Sequence, residues 1–184
     1  QLLEEVRAAP LDEASRARAE LAIDLKRALI GNELELYYQV QNDTQTGEIV
    51  GFEALIRWNR PQKGRIPPDA FIPIAEETGL IIEIGDWVMR TACQTAAQWR
   101  LPYRVAVNVA PMQLNHDLSR RGAEILKETG LPPARLGSEM TQSGIIADRP
   151  HALQVGLALK RIVVNVALDR FVHVYFPVLS LQPV

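Results

Sequence analysis

This chain of 184 residues has one cysteine, no surplus of positive charge and no long apolar run. A lone cysteine excludes a disulfide framework, and Cys93 sits within a helical pattern as a small apolar filler. Lys and Arg number 20 against 22 Asp and Glu and are scattered among them, which excludes a basic nucleic-acid surface and a nucleic-acid polymer as partner. No stretch approaches the roughly 20 apolar residues of a membrane span, and no signal-peptide pattern is present. No membrane contact is therefore expected from this segment, and a cytoplasmic location is the default. The chain does not begin with Met and reads as an excerpt of a longer protein. The three histidines, His116, His151 and His173, match no motif.

What is present is an apolar fraction of 47%, enough for one good core or for most of a larger barrel. The most informative segment runs from Ile49 to Trp58, where Glu53 stands in an apolar, strand-like stretch. An ionised side chain buried among such neighbours costs several kcal/mol unless a metal, a cation or a cavity receives it. Three further strand-like runs end in an oxygen donor: Val105–Asn108, Leu136–Thr141 with Glu139, and Val163–Asp169. Together they read as one constellation.

The patterning alternates strands with helices. A charged helix over 12–30 stops at Gly31-Asn32; it serves either as a linker from an upstream domain or as a helix that closes the bottom of the fold. Strands at 34–41 and 49–58, joined by the turn 42–47, predict an antiparallel hairpin, because the connection is too short for a crossover helix. Helices are expected at 68–77, 82–99, 118–129 and 151–161, and further strands at 104–109, 136–141 and 163–169. Recurring strand–helix units argue for a parallel sheet with outer helices, in which polar residues at strand C-terminal ends form the site. That rule alone selects Asn108, Glu139 and Asp169.

The segments Tyr38–Gln41, Glu53–Trp58, Pro68–Gly79, Ala106–Val109, Glu139–Ser143 and Ala167–Phe171 resemble the EAL domain family of bacterial cyclic di-GMP phosphodiesterases. The likeness covers about Leu25 to Tyr175, and its six stations fall in the right order and spacing. It implies an α/β fold, a modified TIM-type (β/α)8 barrel with one antiparallel strand, here incomplete at its C-terminal end. It divides the chain into a lead-in helix at 1–30 and a partial EAL domain at 31–184. It implies hydrolysis of cyclic di-GMP to linear pGpG with two Mg or Mn ions. Glu53, Asn108, Glu139 and Asp169 would be metal ligands, with Glu53 counted as catalytic, and Gln39, Leu55 and Arg57 would contact substrate. Partners implied are cyclic di-GMP, an upstream sensor or GGDEF-type domain, and a second copy of the chain.

Three departures from the family pattern bear on activity. Asp169-Arg170 stands where the family has two adjacent Asp, and a guanidinium repels a divalent ion. Val172 and Val174 replace two glycines of the following loop, and β-branched residues resist positive φ. Gln142 replaces a Glu, and the chain stops before the family's later Lys, Glu and Gln. Impaired hydrolysis is the expectation from these departures. The alternatives are a catalytically inactive cyclic di-GMP receptor and an interaction module that binds no nucleotide.

Overall fold

The chain is described by a computed structural model over residues 13–61, 63–113, 116–140 and 165–168. Helix α1 (Glu13–Ile30) leads into strand β1 (Leu34–Asn42), strand β2 (Ile49–Arg60) and the short strand β3 (Gly64–Ile66). Helices α2 (Pro68–Thr78) and α3 (Ile81–Ala97) precede strand β4 (Arg104–Val109). Helix α4 (His116–Thr129), strand β5 (Leu136–Met140) and strand β6 (Asn165–Leu168) complete the order, with 3-10 turns at Pro111–Gln113 and Pro133–Arg135. The expected helix at 151–161 lies outside the described residues.

The expected hairpin is present: β1 and β2 pair antiparallel from Leu34 opposite Trp58 to Asn42 opposite Ile49. Its turn is set locally. The Asp43 carboxylate accepts the N–H groups of Gln45 and Thr46, each at 2.9 Å, which holds its carboxyl below the usual range. The remaining path, β2-β4-β5-β6, is parallel, and β3 pairs with the far end of β2. Three residues are too few to show alternation, so β3 had no sequence signal.

Alternation along β2 divides the sheet into two faces. Ala54 and Trp58 are buried, and Trp58 meets Phe71 of α2 edge-on at 5.6 Å between ring centres. Val105, Val107 and Val109 of β4 and Leu136 of β5 join the same core, with Ile84, Val88 and Ala92 of α3 and Leu118 and Ile125 of α4. The opposite face carries Glu53, Leu55 and Arg57 of β2 and, in register with them, Gln39 and Tyr37 of β1. Helix α1 also packs on this fold. Leu25 and Ala28 are fully buried in the shared core, and Asp24 pairs with Arg60 of β2.

The sheet curls strongly toward its polar face. β1 and β5 are separated by β2 and β4, so a flat sheet would set them roughly 14 Å apart, at about 4.8 Å per strand. Gln41 of β1 nevertheless donates to Glu139 of β5 across the concavity at 2.7 Å. Curvature of that degree belongs to a barrel wall.

Burial in α3 makes Cys93 inert, since loss of hydration pushes its thiol up to about 12. A raised thiol in the folded state costs stability wherever the unfolded chain ionises and the folded one does not. The loss therefore begins near the thiol's ordinary value of 9.0 and continues toward 12. Burial raises Tyr38 in the same sense at higher pH. Urea unfolding between pH 8 and 11 should show stability falling by an amount on the order of a few kcal/mol, and Cys93→Ala should flatten the earlier part of that fall. An unchanged slope in the variant would mean that the thiol is not held neutral.

Candidate active site on the concave face

Glu53 lies mid-strand, one residue before the pairing of β2 with β4 ends. That parallel pairing spans only Gly51 to Ala54, after which β2 stays paired with β1 and then meets β3. Glu53 is opposite Ala106, so Asn108 stands two positions further along the next strand. The gap is bridged by side chains: Asn108 Nδ2 donates to Glu53 Oε1 at 2.7 Å. Asn108 is in turn directly opposite Glu139 in the β4–β5 ladder. Neighbouring strands lie about 4.8 Å apart, so side chains so paired are neighbours on one face. Glu53, Asn108 and Glu139 thus share one patch of the concave face.

Asp169, the fourth expected ligand, follows β6 in the sequence and lies outside the described residues, as do Arg170 and the loop after it. The strand that precedes it is placed, with Ala167 opposite Glu139. Among the described residues, no three His, Cys, Asp or Glu side chains gather to hold a metal.

The three expected substrate residues share β1 and β2. Gln39 is opposite Glu53, and Leu55 opposite Tyr37. Arg57 is four residues beyond Glu53, about 13 Å along the strand at 3.3 Å per residue. Its Nη1 donates to the Ile56 carbonyl at 2.8 Å, and its guanidinium lies over the Tyr37 ring at 5.5 Å. Among the described residues no carboxylate pairs with it. A cavity of about 410 Å³ opens beside it, lined by Leu55, Arg57 and Asn108 from the strands and by Asp69, Ile72 and Ile84 from the helices.

Some contributors were not picked out by the motif reading. Gln41, which holds Glu139, is two residues after Gln39 and so belongs to the same strand face by simple alternation. Arg65 donates to the Tyr37 hydroxyl at 2.6 Å and lies 5.0 Å from its ring centre, which places a second cation beside Arg57. Gln113, 2% exposed, closes the turn after β4. Only the fold reveals Arg65 and Gln113, because neither belongs to a spacing that carries chemistry.

The sequence pattern of the EAL domain matches residues 22–182. The chain belongs to the EAL domain family. It is 46% identical over 162 residues to an uncharacterized signaling protein of Caulobacter vibrioides, a match covering 88% of this chain and 20% of that protein. It is 34% identical over 173 residues to the bifunctional diguanylate cyclase/cyclic di-GMP phosphodiesterase MucR of Pseudomonas aeruginosa, covering 91% of this chain and 25% of that one. Among solved structures, the MucR phosphodiesterase in complex with cyclic di-GMP superposes with a TM-score of 0.77 at 34% identity, covering 86% of this chain and 66% of the other. The chain therefore spans about a fifth to a quarter of the length of these curated relatives. Its TIM-barrel-like α/β architecture, with the antiparallel first strand, is that of an EAL domain.

Glu53 and Glu139 are two carboxylates on one concave patch, and like charges held near each other are unfavourable. Glu53→Gln removes one charge and keeps an oxygen acceptor for Asn108. Thermal unfolding in EDTA should show this variant as stable as the parent or more stable, by roughly 0.5 kcal/mol or more. A loss above about 1 kcal/mol would instead mark the Glu53 carboxylate as a structural hydrogen-bond acceptor.

Proposed function

We propose that this chain is a cyclic di-GMP phosphodiesterase domain of EAL type, which hydrolyses one phosphodiester bond to give linear pGpG. The observation that carries the reading is the shared patch of Glu53, Asn108 and Glu139, with the guanidinium of Arg57, which no carboxylate among the described residues neutralises, on the same face. Relatives named as acting on, or bound to, cyclic di-GMP support it. In this reading residues 31–184 are EAL domain, residues 1–30 are a lead-in segment whose helix α1 (Glu13–Ile30) packs on it, and a GGDEF-type or sensor domain accompanies them in the whole protein.

The donor set fits hard divalent cations. Glu53, Asn108, Glu139 and Asp169 offer carboxylate and amide oxygens only, which suits Mg or Mn rather than thiolate- or imidazole-seeking metals. A bound metal pair would supply charge neutralisation on the phosphate and a more acidic water. The protein's own residues do the rest. Glu53 and Glu139, fixed on adjacent ladders, set the place where the scissile phosphate sits. Arg57 presents parallel N–H donors to phosphate oxygens, a geometry that lysine cannot reproduce. Leu55 offers apolar contact at the cavity mouth, and Gln39 offers an amide to the sugar–phosphate edge.

A second reading is favoured by one sequence observation, Arg170 directly after Asp169. A fixed cation there would face phosphate in place of a metal, making the domain a receptor. One experiment separates the two. With Mn or Mg, pGpG should appear, at a rate lowered by the Asp169-Arg170 departure, EDTA should abolish it, and Glu53→Ala should lower that turnover further, by at least 100-fold. Arg57→Lys should raise KM about tenfold, the equivalent of about 1.4 kcal/mol, with a smaller change in kcat. Calorimetric binding of cyclic di-GMP in EDTA, with no product at high protein concentration, would overturn the enzyme in favour of the receptor.

A further inference from the structure

Asn108 holds the Glu53 carboxylate and stands opposite Glu139 in the ladder, yet it sits at the end of a strand, one residue before the chain leaves the sheet. Such a residue needs something to hold the backbone after it. Gln113 is placed to do this. Its side-chain Oε1 accepts the N–H of Ala110 at 2.9 Å, and its own N–H donates to the Ala110 carbonyl at 2.9 Å. Both polar backbone groups of Ala110, two residues after Asn108, are thereby taken by a single residue. Pro111, between them, has no N–H to compete.

The amide that makes this bond is buried against α3 at Gly85. A Cβ added at Gly85 would overlap the Gln113 amide, standing 2.6 Å from Cδ and 3.0 Å from Oε1. Gly85 lies inside a 17-residue helix, where glycine is less favourable than alanine. Its bare backbone here leaves room for the Gln113 amide. The pair also lines the cavity that reaches Asn108.

We infer that Gln113, seated on Gly85, is a positioning residue for the site: it locks the turn after β4 and thereby holds the Asn108 amide on Glu53. The metal-binding consequence rests on the proposed function above, whereas the positioning itself does not. Ligand positions on a strand end are only as fixed as the turn behind them.

The test uses the full chain and three variants. Gln113→Met keeps the volume and removes both side-chain hydrogen-bonding groups. Gly85→Ala displaces the amide while leaving Gln113 in place. The double variant completes a cycle. The Asn108 side-chain amide signals are read by NMR in the metal-free protein, and Mn affinity by calorimetry.

Each single variant should shift and broaden the Asn108 signals, speed exchange of the Ala110 N–H at least tenfold, and weaken Mn binding about five- to tenfold. The double variant should be no worse than either single, because both break the same contact. Unchanged Asn108 signals in folded Gln113→Met would overturn the inference, even with a lowered Tm, and would leave Gln113 a packing residue. Additive effects in the double variant would overturn the Gly85 seat. A parent chain that binds no Mn, in which the variants still disturb Asn108, would sink the metal reading and sustain the positioning role.

Discussion

Trp58 and Ala54 are packed against the helices, and through the pleat of β2 that packing decides where Glu53, Leu55 and Arg57 point. The period of a strand is two, so a slip of one residue would carry every functional side chain of β2 into the helix layer and bring the tryptophan out. Full burial of an indole makes that slip expensive, on the order of 3–5 kcal/mol if judged by the loss of a buried aromatic. The Trp58 N–H, donated to Glu33 at 3.0 Å, adds a second penalty for the wrong register. The chemistry-bearing face is thus specified by residues on the other face.

Curvature then does what register alone cannot. Register puts Asn108 beside Glu139, but it leaves Glu53 two positions down its own strand and Gln41 three strands away. The bend of the sheet shortens both gaps to hydrogen-bonding distance, giving Asn108–Glu53 and Gln41–Glu139 at 2.7 Å each. A polar concave face of this kind is stable only because the amides meet the carboxylates; unpaired acids in the same concavity would carry a desolvation cost.

How much of this was legible beforehand depended on whether a feature was written in periodicity or in packing. The hairpin was legible, because two strand-like runs joined by a six-residue turn leave no room for a crossover. Asn108 and Glu139 were legible from their place at strand ends, and Glu53 from its oddity in an apolar run. The strand-end rule did not reach Glu53, because β2 continues to Arg60 and the site forms where its pairing with β4 stops. Gln113 and Gly85 were not legible, since a glutamine in a short turn and a glycine in a helix are each unremarkable until the fold brings them together. Arg65 was hidden for a similar reason, its three-residue strand being too short to announce a face.

Under the proposed reading, the amide contacts of the concave face bear on how its residues would hold a cation. Asn108 donates its Nδ2 to Glu53. A cation needs the other end of that amide, because only Oδ1 can coordinate. Asn108 would therefore hold a cation through Oδ1 and Glu53 through its carboxylate, so the amide that serves Glu53 as a donor could instead serve a cation as a ligand. Gln41 stands in the same relation to Glu139. Both amides satisfy the carboxylates they meet, and a carboxylate–cation contact would be stronger than either. Carboxylates held by such amides stay ordered without an unpaired charge, which reconciles two acids on one concave face with a stable fold.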